Sequence, residues 1–317
     1  MLRILAIGLL ASLFFSSTFI LNRAMSLGGG HWFWTAALRY GYMLLFLCSG
    51  LLLSGRQATL LDLLRLFRAN WRFWTLSGSI GFGLFYSLLS FSASHAPGWV
   101  VATTWELTIL VGPLVLVLYG HRVPKRALLF VMVIFAGILL VNYEQALTTS
   151  LPQVLLGALP ALGAAFAYPC GNQMVWEAQR GRHPRIPHID NPLLEHAINR
   201  MILMTLGTLP FWSLLFVCVQ PPAPTPGQWL QTALVGLCSG VIATSLFLHA
   251  RHLAQDAYQI SAIDATQAGE VVFSLLGEVL LLGAVLPGPL GWFGVFLTLF
   301  GLVLYLQCQA PAKVAVQ

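Results

Sequence analysis

Ten mostly apolar runs follow one another along the chain, at 3–25, 32–54, 72–94, 97–119, 126–143, 152–177, 193–218, 229–250, 258–284 and 289–308. Crossing the hydrocarbon of a bilayer as a helix takes about 20 such residues, so each run predicts one transmembrane helix. The polar stretches between them are short and rich in helix breakers: Gly28-Gly29-Gly30, Ala96-Pro97-Gly98, Gln220-Pro221-Pro222 and Pro287-Gly288-Pro289. They leave no room for a separate soluble domain. One connection differs. Residues 57–69 set Leu and Phe against Asp62, Arg65 and Arg68 at helical spacing, which predicts a short amphipathic helix lying on a membrane face. The first run resembles a signal peptide, but it lacks a small-x-small cleavage site and further apolar runs follow at once. It reads as a retained first span.

Composition agrees with a lipid solvent. The chain is 58% hydrophobic and 8% charged, with a mean hydropathy of +0.80, against about 25% charged residues in a soluble domain. Charge adds orientation. With the N-terminus inside, the inner segments carry Arg3, then Arg56, Arg65, Arg68 and Arg72, then Arg122, Lys125 and Arg126. Arg180, Arg182 and Arg185, then Arg251 and Lys313, continue the series. The outer loops after spans three, five, seven and nine hold no Lys or Arg, and the first has only Arg23 at its edge. That is the positive-inside pattern, with both termini cytoplasmic. Trp32, Trp34, Trp71, Trp74, Trp99, Trp229 and Trp292 fall near run ends, where an aromatic belt would lie. The net charge of +6 is spread over these loops and not gathered on one face, which argues against a nucleic-acid partner.

The two halves of the chain carry a faint repeat. Residues 100–141 slide onto 264–305 without a gap, matching Glu106 with Glu270 and Gly137 with Gly301. Other offsets match Arg39 with Arg200 and Asn22 with Asn172. Apolar coincidences mean little in such a chain, whereas Glu, Arg and Asn are costly in hydrocarbon and rarely shared without reason. Five spans per half is an odd number, so the second half must enter from the opposite side. The expected architecture is an all-α integral membrane protein of ten helices, arranged as two inverted five-helix repeats, 1–148 and 149–317. Transporters commonly place their site between such repeats.

Certain segments resemble a known family. Phe15-Ser16-Ser17-Thr18-Phe19-Ile20-Leu21-Asn22-Arg23, Gly29-Gly30, Trp32, Trp34 and Leu38-Arg39-Tyr40 look like the opening of a drug/metabolite transporter. Thr103-Thr104-Trp105-Glu106-Leu107-Thr108 and Tyr168-Pro169-Cys170-Gly171-Asn172 extend the likeness to the multidrug resistance efflux branch and its ten-span EamA-like relatives. The resemblance covers nearly the whole chain and implies export of small organic molecules across an inner membrane. It departs in one respect. Small four-span members use a glutamate in their first helix, and span one here has no carboxylate, so their proton exchange does not carry over residue by residue.

The ionisable residues inside the runs are Arg39, Glu106, Arg200, Asp264, Glu270 and Glu278, with His249 near an end. Groups of this kind persist in a membrane when they pair, line water or hold protons. Glu106 beside Trp105 suits a lipophilic cation through charge and cation–π contact, or else is a structural acid. Glu270 is its repeat mate. Glu278, eight residues on, lies about 80° round the same helix and either forms a proton route with Glu270 or bonds a polar neighbour. Asp264 points largely away. Arg39 and Arg200 either neutralise these carboxylates as structural partners or grip an anionic substrate. Asn22, Asn172, Tyr168, Tyr86 and Gln267 add uncharged polar atoms at depth, and Pro169 invites a kink.

The candidate substrate- and proton-binding set is therefore Glu106, Trp105, Glu270, Asn22, Asn172, Tyr168, Tyr86, Gln267 and Glu278. The expected partners are a small-molecule substrate, the bilayer and protons, in a monomer or homodimer. No metal-ligand set, cofactor motif, P-loop or catalytic cluster appears. A proton-coupled exporter working by alternating access leads. An uncoupled exporter or exchanger of amino acids or metabolites with structural acids comes next, and a sensor or membrane enzyme last.

Overall fold

The computed structural model describes residues 2–108, 111, 125–181, 183–254 and 257–309. Among these residues every regular element is a helix. The helices α1 (Leu2–Leu27), α2 (Trp32–Leu53) and α4 (Trp71–Ala93) are long and apolar enough to cross a membrane, with the short α3 (Gln57–Ala69) between the last two. Next come α5 (Gly98–Trp105) and α6 (Lys125–Thr148). Beyond them, α7 (Leu151–Arg180), α8 (Ala197–Val219) and α9 (Pro226–Leu253) again have membrane length. The chain then forms α10 (Ala257–Ala265), a 3-10 turn (Thr266–Ala268), α11 (Gly269–Leu282) and α12 (Pro289–Gln309). Ala262–Leu282, across that turn, is a seventh apolar stretch of membrane length. Much of the fourth expected span lies outside the described residues, as do Arg122, Arg182 and Lys313.

The helix ends follow local chemistry. Thr225 caps α9 with a capping box, its hydroxyl accepting from the Gln228 backbone N–H while the Gln228 side chain accepts from the Thr225 N–H. His31 Nδ1 caps α2 by accepting from the Phe33 N–H at 3.2 Å. Gly181 and Gly283 end α7 and α11 in the left-handed region that glycine adopts without strain. The expected amphipathic helix forms as α3, burying Leu63 and Leu66 while Arg65 and Asp62 pair in solvent.

Outward faces are apolar. Leu13, Leu45, Leu76, Leu159, Leu214, Leu280 and Phe296 all stand exposed, as lipid-facing residues do. Inside, α4 packs against α7 and α8 at backbone distance. A Cβ at Gly81 would lie 2.9 Å from Gly171 Cα, and one at Gly207 would strike the Trp74 carbonyl. Two of the tryptophans expected in a belt are core residues instead. Trp74 is wholly buried and Trp99 nearly so, whereas Trp71, Trp229 and Trp292 are exposed. Position near a run end did not distinguish the two groups, because the direction in which a ring points depends on helix packing.

Two segments depart from α geometry in the middle of long helices. Ser79–Leu84 of α4 and Gly236–Ala243 of α9 are π-helical. Such widened turns leave backbone groups irregularly paired and often mark functional sites.

Candidate functional site

The irregular segments converge on one cavity of about 310 Å3. Its wall takes Thr18 from α1, Arg39 from α2, Phe82 and Tyr86 from α4, and Trp105 and Glu106 from the end of α5. The remainder comes from Tyr168 and Asn172 of α7, Arg200 of α8, Ser239 of α9, Gln267 of the 3-10 turn and Glu270 of α11. Nine residues marked out in the sequence thus share one space: Trp105, Glu106, Glu270, Tyr168, Asn172, Tyr86, Gln267, Arg39 and Arg200.

Both glutamates sit where their helices lose regularity. Glu106 is the cap residue that ends α5, its N–H shared at 3.3 Å between the carbonyls of Ala102 and Thr103. Glu270 is the second residue of α11, just past the 3-10 turn. Ser12 of α1 holds that turn by donating to the Thr266 carbonyl at 2.5 Å. Glu106 and Glu270 are 3% and 6% exposed. Among the described residues neither carboxylate has a hydrogen-bond or salt-bridge partner, and the two are close enough to interact electrostatically. Buried carboxylates without partners are expensive, and both of these line the cavity.

Aromatic rings fill much of the wall. Phe85 lies 4.9 Å from Trp105 and 5.1 Å from Tyr168, centroid to centroid, and Trp105 lies 5.6 Å from Tyr168. Tyr40 stacks on Phe82 at 5.3 Å and meets Tyr86 edge-on at 5.7 Å. Asn172 turns one donor back to the Tyr168 carbonyl at 2.9 Å, one turn earlier in α7.

Three expectations change. Glu278 is not in the cavity wall. It is 1% exposed and accepts from the N–H groups of Gly98 at 2.7 Å and Trp99 at 3.2 Å, so it closes the N-terminus of α5. The Glu270–Glu278 proton stripe is not formed, because helical angle alone ignored that α5 begins where Glu278 points. Asn22 also stands behind the wall, its Oδ1 accepting from the Tyr86 hydroxyl at 3.2 Å. Finally, neither expected structural arginine makes an ion pair with a carboxylate among the described residues. Arg39 donates to Ser239 Oγ at 3.2 Å and Arg200 to the Leu194 carbonyl at 2.7 Å. Asp264 does pair, 3.6 Å from Arg251, away from the cavity.

Sequence reasoning missed two participants. Ser239 lies in an apolar run and carries no charge, yet it accepts from both Arg39 and Thr18, the latter at 2.7 Å. Glu144, near the end of α6, accepts from the Gly288 and Gly291 N–H groups at 2.8 and 2.6 Å at the start of α12. It matches Glu278 in role, and the Pro-Gly sequences at both helix starts were the available signal.

Residues 2–311 match the family model EmrE, "Putative multidrug resistance efflux transporter". The chain belongs to this family. It is a multi-pass membrane protein of the drug/metabolite transporter type, in a family of transporters rather than of enzymes. Among its relatives is the uncharacterized protein YjlA of Bacillus subtilis (strain 168), 37% identical over 98% of this chain and 97% of its own length. Another is an uncharacterized 42.1 kDa protein of Shouchella clausii, encoded 3′ of an intracellular alkaline protease, 36% identical over 78% of this chain. The match spans 65% of that protein's length. A crystal structure at 17% identity superposes with a TM-score of 0.61 over 99% of both chains, which establishes a shared fold.

Proposed function

We propose that the chain is a secondary exporter of small organic molecules, driven by protons through Glu106 and Glu270. It crosses an inner membrane ten times as two inverted five-helix halves, 1–148 and 149–317, with both termini cytoplasmic. Substrate occupies the cavity between the halves, which open alternately to either side. The observation that carries this reading is the pair of repeat-mate glutamates in one cavity wall, both buried and neither with a hydrogen-bond or salt-bridge partner among the described residues. Two unpaired carboxylates in one cavity wall repel each other when both are ionised. A substrate cation and a proton therefore compete for the same charge, and that competition couples their movements.

Three further observations support the two-half plan. The π-helical segments fall in the third long helix of each half. The glutamates sit at helix irregularities in corresponding helices. Glu144 of the first half closes a helix start in the second, and Glu278 of the second closes one in the first.

The test is uptake into proteoliposomes under an imposed pH gradient, with radiolabelled tetraphenylphosphonium, phenethylamine and phenylalanine as probes. The expected result is gradient-dependent accumulation of at least one probe, abolished by Glu106→Gln and by Glu270→Gln in protein that stays monodisperse. Undiminished gradient-driven flux in both variants removes the carboxyls from the mechanism. Counterflow indifferent to pH, in wild type and variants alike, establishes uncoupled exchange with structural acids instead.

A further inference from the structure

The cavity wall also contains a cation that the proton-coupling mechanism does not use. Arg39 is 8% exposed and has no carboxylate partner among the described residues. Its guanidinium has five N–H donors. One Nη2 donor goes to Ser239 Oγ at 3.2 Å, a further side-chain hydrogen bond reaches the Tyr40 hydroxyl, and Nε is buried with no hydrogen-bond partner among the described residues. The plane of charge lies 4.0 Å from the centroid of the Tyr86 ring and 5.3 Å from that of Tyr40. The surrounding bonds hold it in place. Thr18 fixes Ser239, and Asn22 fixes the Tyr86 hydroxyl and with it the ring under the guanidinium. A buried arginine with spare donors, built into a rigid network and facing an open cavity, lacks one thing: an anion.

We propose that Arg39 is the anion-binding subsite of this cavity and that its ligand is a small aromatic zwitterion. The ligand's carboxylate lies on Arg39, and its ammonium lies toward Glu106 and Glu270. This deepens the exporter reading and rests on the cavity being the substrate site. Four features carry it. Arg39 offers a fork of donors of the kind that carboxylates accept bidentately. The acids in the same cavity are equally unpaired among the described residues, so one molecule bearing both charges satisfies each. Phe85, Trp105 and Tyr168 supply ring faces for an aromatic body. The cavity, at about 310 Å3, stands at the small end of small-molecule sites, which run from about 300 to 1,000 Å3. A bare lipophilic cation fits the acids and the rings but is repelled by Arg39, a form of selection against the wrong charge.

The alternative is that Arg39 merely balances the glutamates across the cavity. Calorimetry on purified full-length protein separates the two, using four probes: phenylalanine, phenethylamine, 3-phenylpropionate and tetraphenylphosphonium. The first three share one ring and differ only in charge. Phenylalanine should bind at least about 10-fold more tightly than either single-charge relative, since a charged hydrogen-bonded contact is worth roughly that or more. Arg39→Gln should weaken phenylalanine and 3-phenylpropionate by about 10- to 100-fold and leave phenethylamine unchanged or tighter. Glu106→Gln should weaken phenethylamine and phenylalanine and spare 3-phenylpropionate. Arg39→Lys, which keeps the charge but loses the fork, should fall between wild type and Gln, and it serves if Arg39→Gln does not fold.

Preference of the wild type for phenethylamine or tetraphenylphosphonium overturns the proposal, as does equal weakening of all probes in the arginine variants. So does binding of none of the four. If one of these outcomes is found while tetraphenylphosphonium is carried with a pH gradient and Glu106 dependence intact, the exporter reading stands and only the zwitterion is lost. If no probe is either bound or carried, both fall.

Discussion

Replacing Glu278 by alanine removes the only acceptor that the described residues provide for two N–H groups at the start of α5. Gly98 and Trp99 donate to its carboxylate at 2.7 and 3.2 Å, and neither N–H has a turn of helix before it to supply a carbonyl. Glu278 is 1% exposed, Gly98 and Trp99 are buried, and water does not easily replace the lost oxygens. A buried donor left unpaired costs about 1–3 kcal/mol, and the loss of a negative charge at a helix start about 0.3–1 kcal/mol more. The expected cost of Glu278→Ala is therefore about 2–7 kcal/mol, and that of Glu278→Gln, which retains one oxygen, about 1–2 kcal/mol. Equilibrium unfolding in mixed micelles measures both. Transport assayed where each variant is folded should be nearly unchanged, because Glu278 does not reach the cavity. Equal and negligible costs for Ala and Gln refute the capping argument. A fully stable Glu278→Gln protein that has lost gradient-driven transport restores Glu278 to a proton route.

The other predictions rest on the same kind of geometry. Gly207→Ala places a methyl against the Trp74 carbonyl and should destabilise by about 1–3 kcal/mol or more. Gly41→Ala, with open space around its Cα, is the matched control and should be nearly neutral in the same unfolding assay. Glu144→Ala should lower stability by about 1–3 kcal/mol through the Gly288 and Gly291 N–H groups, again without loss of transport. Asp264→Asn removes an ion pair 3.6 Å long and part-exposed, worth about 0–1 kcal/mol, so its thermal midpoint and its transport should both match wild type closely.

Helices were legible in the sequence because apolar runs of membrane length leave little else for the chain to form. The expected run at 32–54 compares with Trp32–Leu53, and the run at 152–177 with Leu151–Arg180. The cavity was legible for a related reason. A polar side chain in an otherwise apolar run is conspicuous, and nine of the residues so marked line one space. What was not legible was who meets whom. Glu106, Glu270 and Glu278 look alike in sequence, yet among the described residues two have no partner while the third closes a helix end, a difference that depends on where α5 starts in space. Arg39 was assigned to a carboxylate because a buried charge invites one, but Ser239, Tyr86 and Tyr40 surround it instead. Serine and tyrosine in apolar runs gave no hint of that pairing.

The proposed repeat is faint in side chains, and three different offsets are needed to match Asn22 with Asn172, Arg39 with Arg200 and Glu106 with Glu270. The π-helical segments need no alignment. They widen α4 and α9 at mid-length, and residues from both, Phe82 and Ser239, face the cavity. A widened turn has weaker internal bonding than the α-helix on either side, and in these two helices it lies beside the cavity. If the halves rock against each other as proposed, these are the places where bending costs least. Residues exchanging hydrogens faster there than in the flanking turns, in both halves alike, would follow; equal protection along the whole of α4 and α9 would leave the motion to some other part of the bundle.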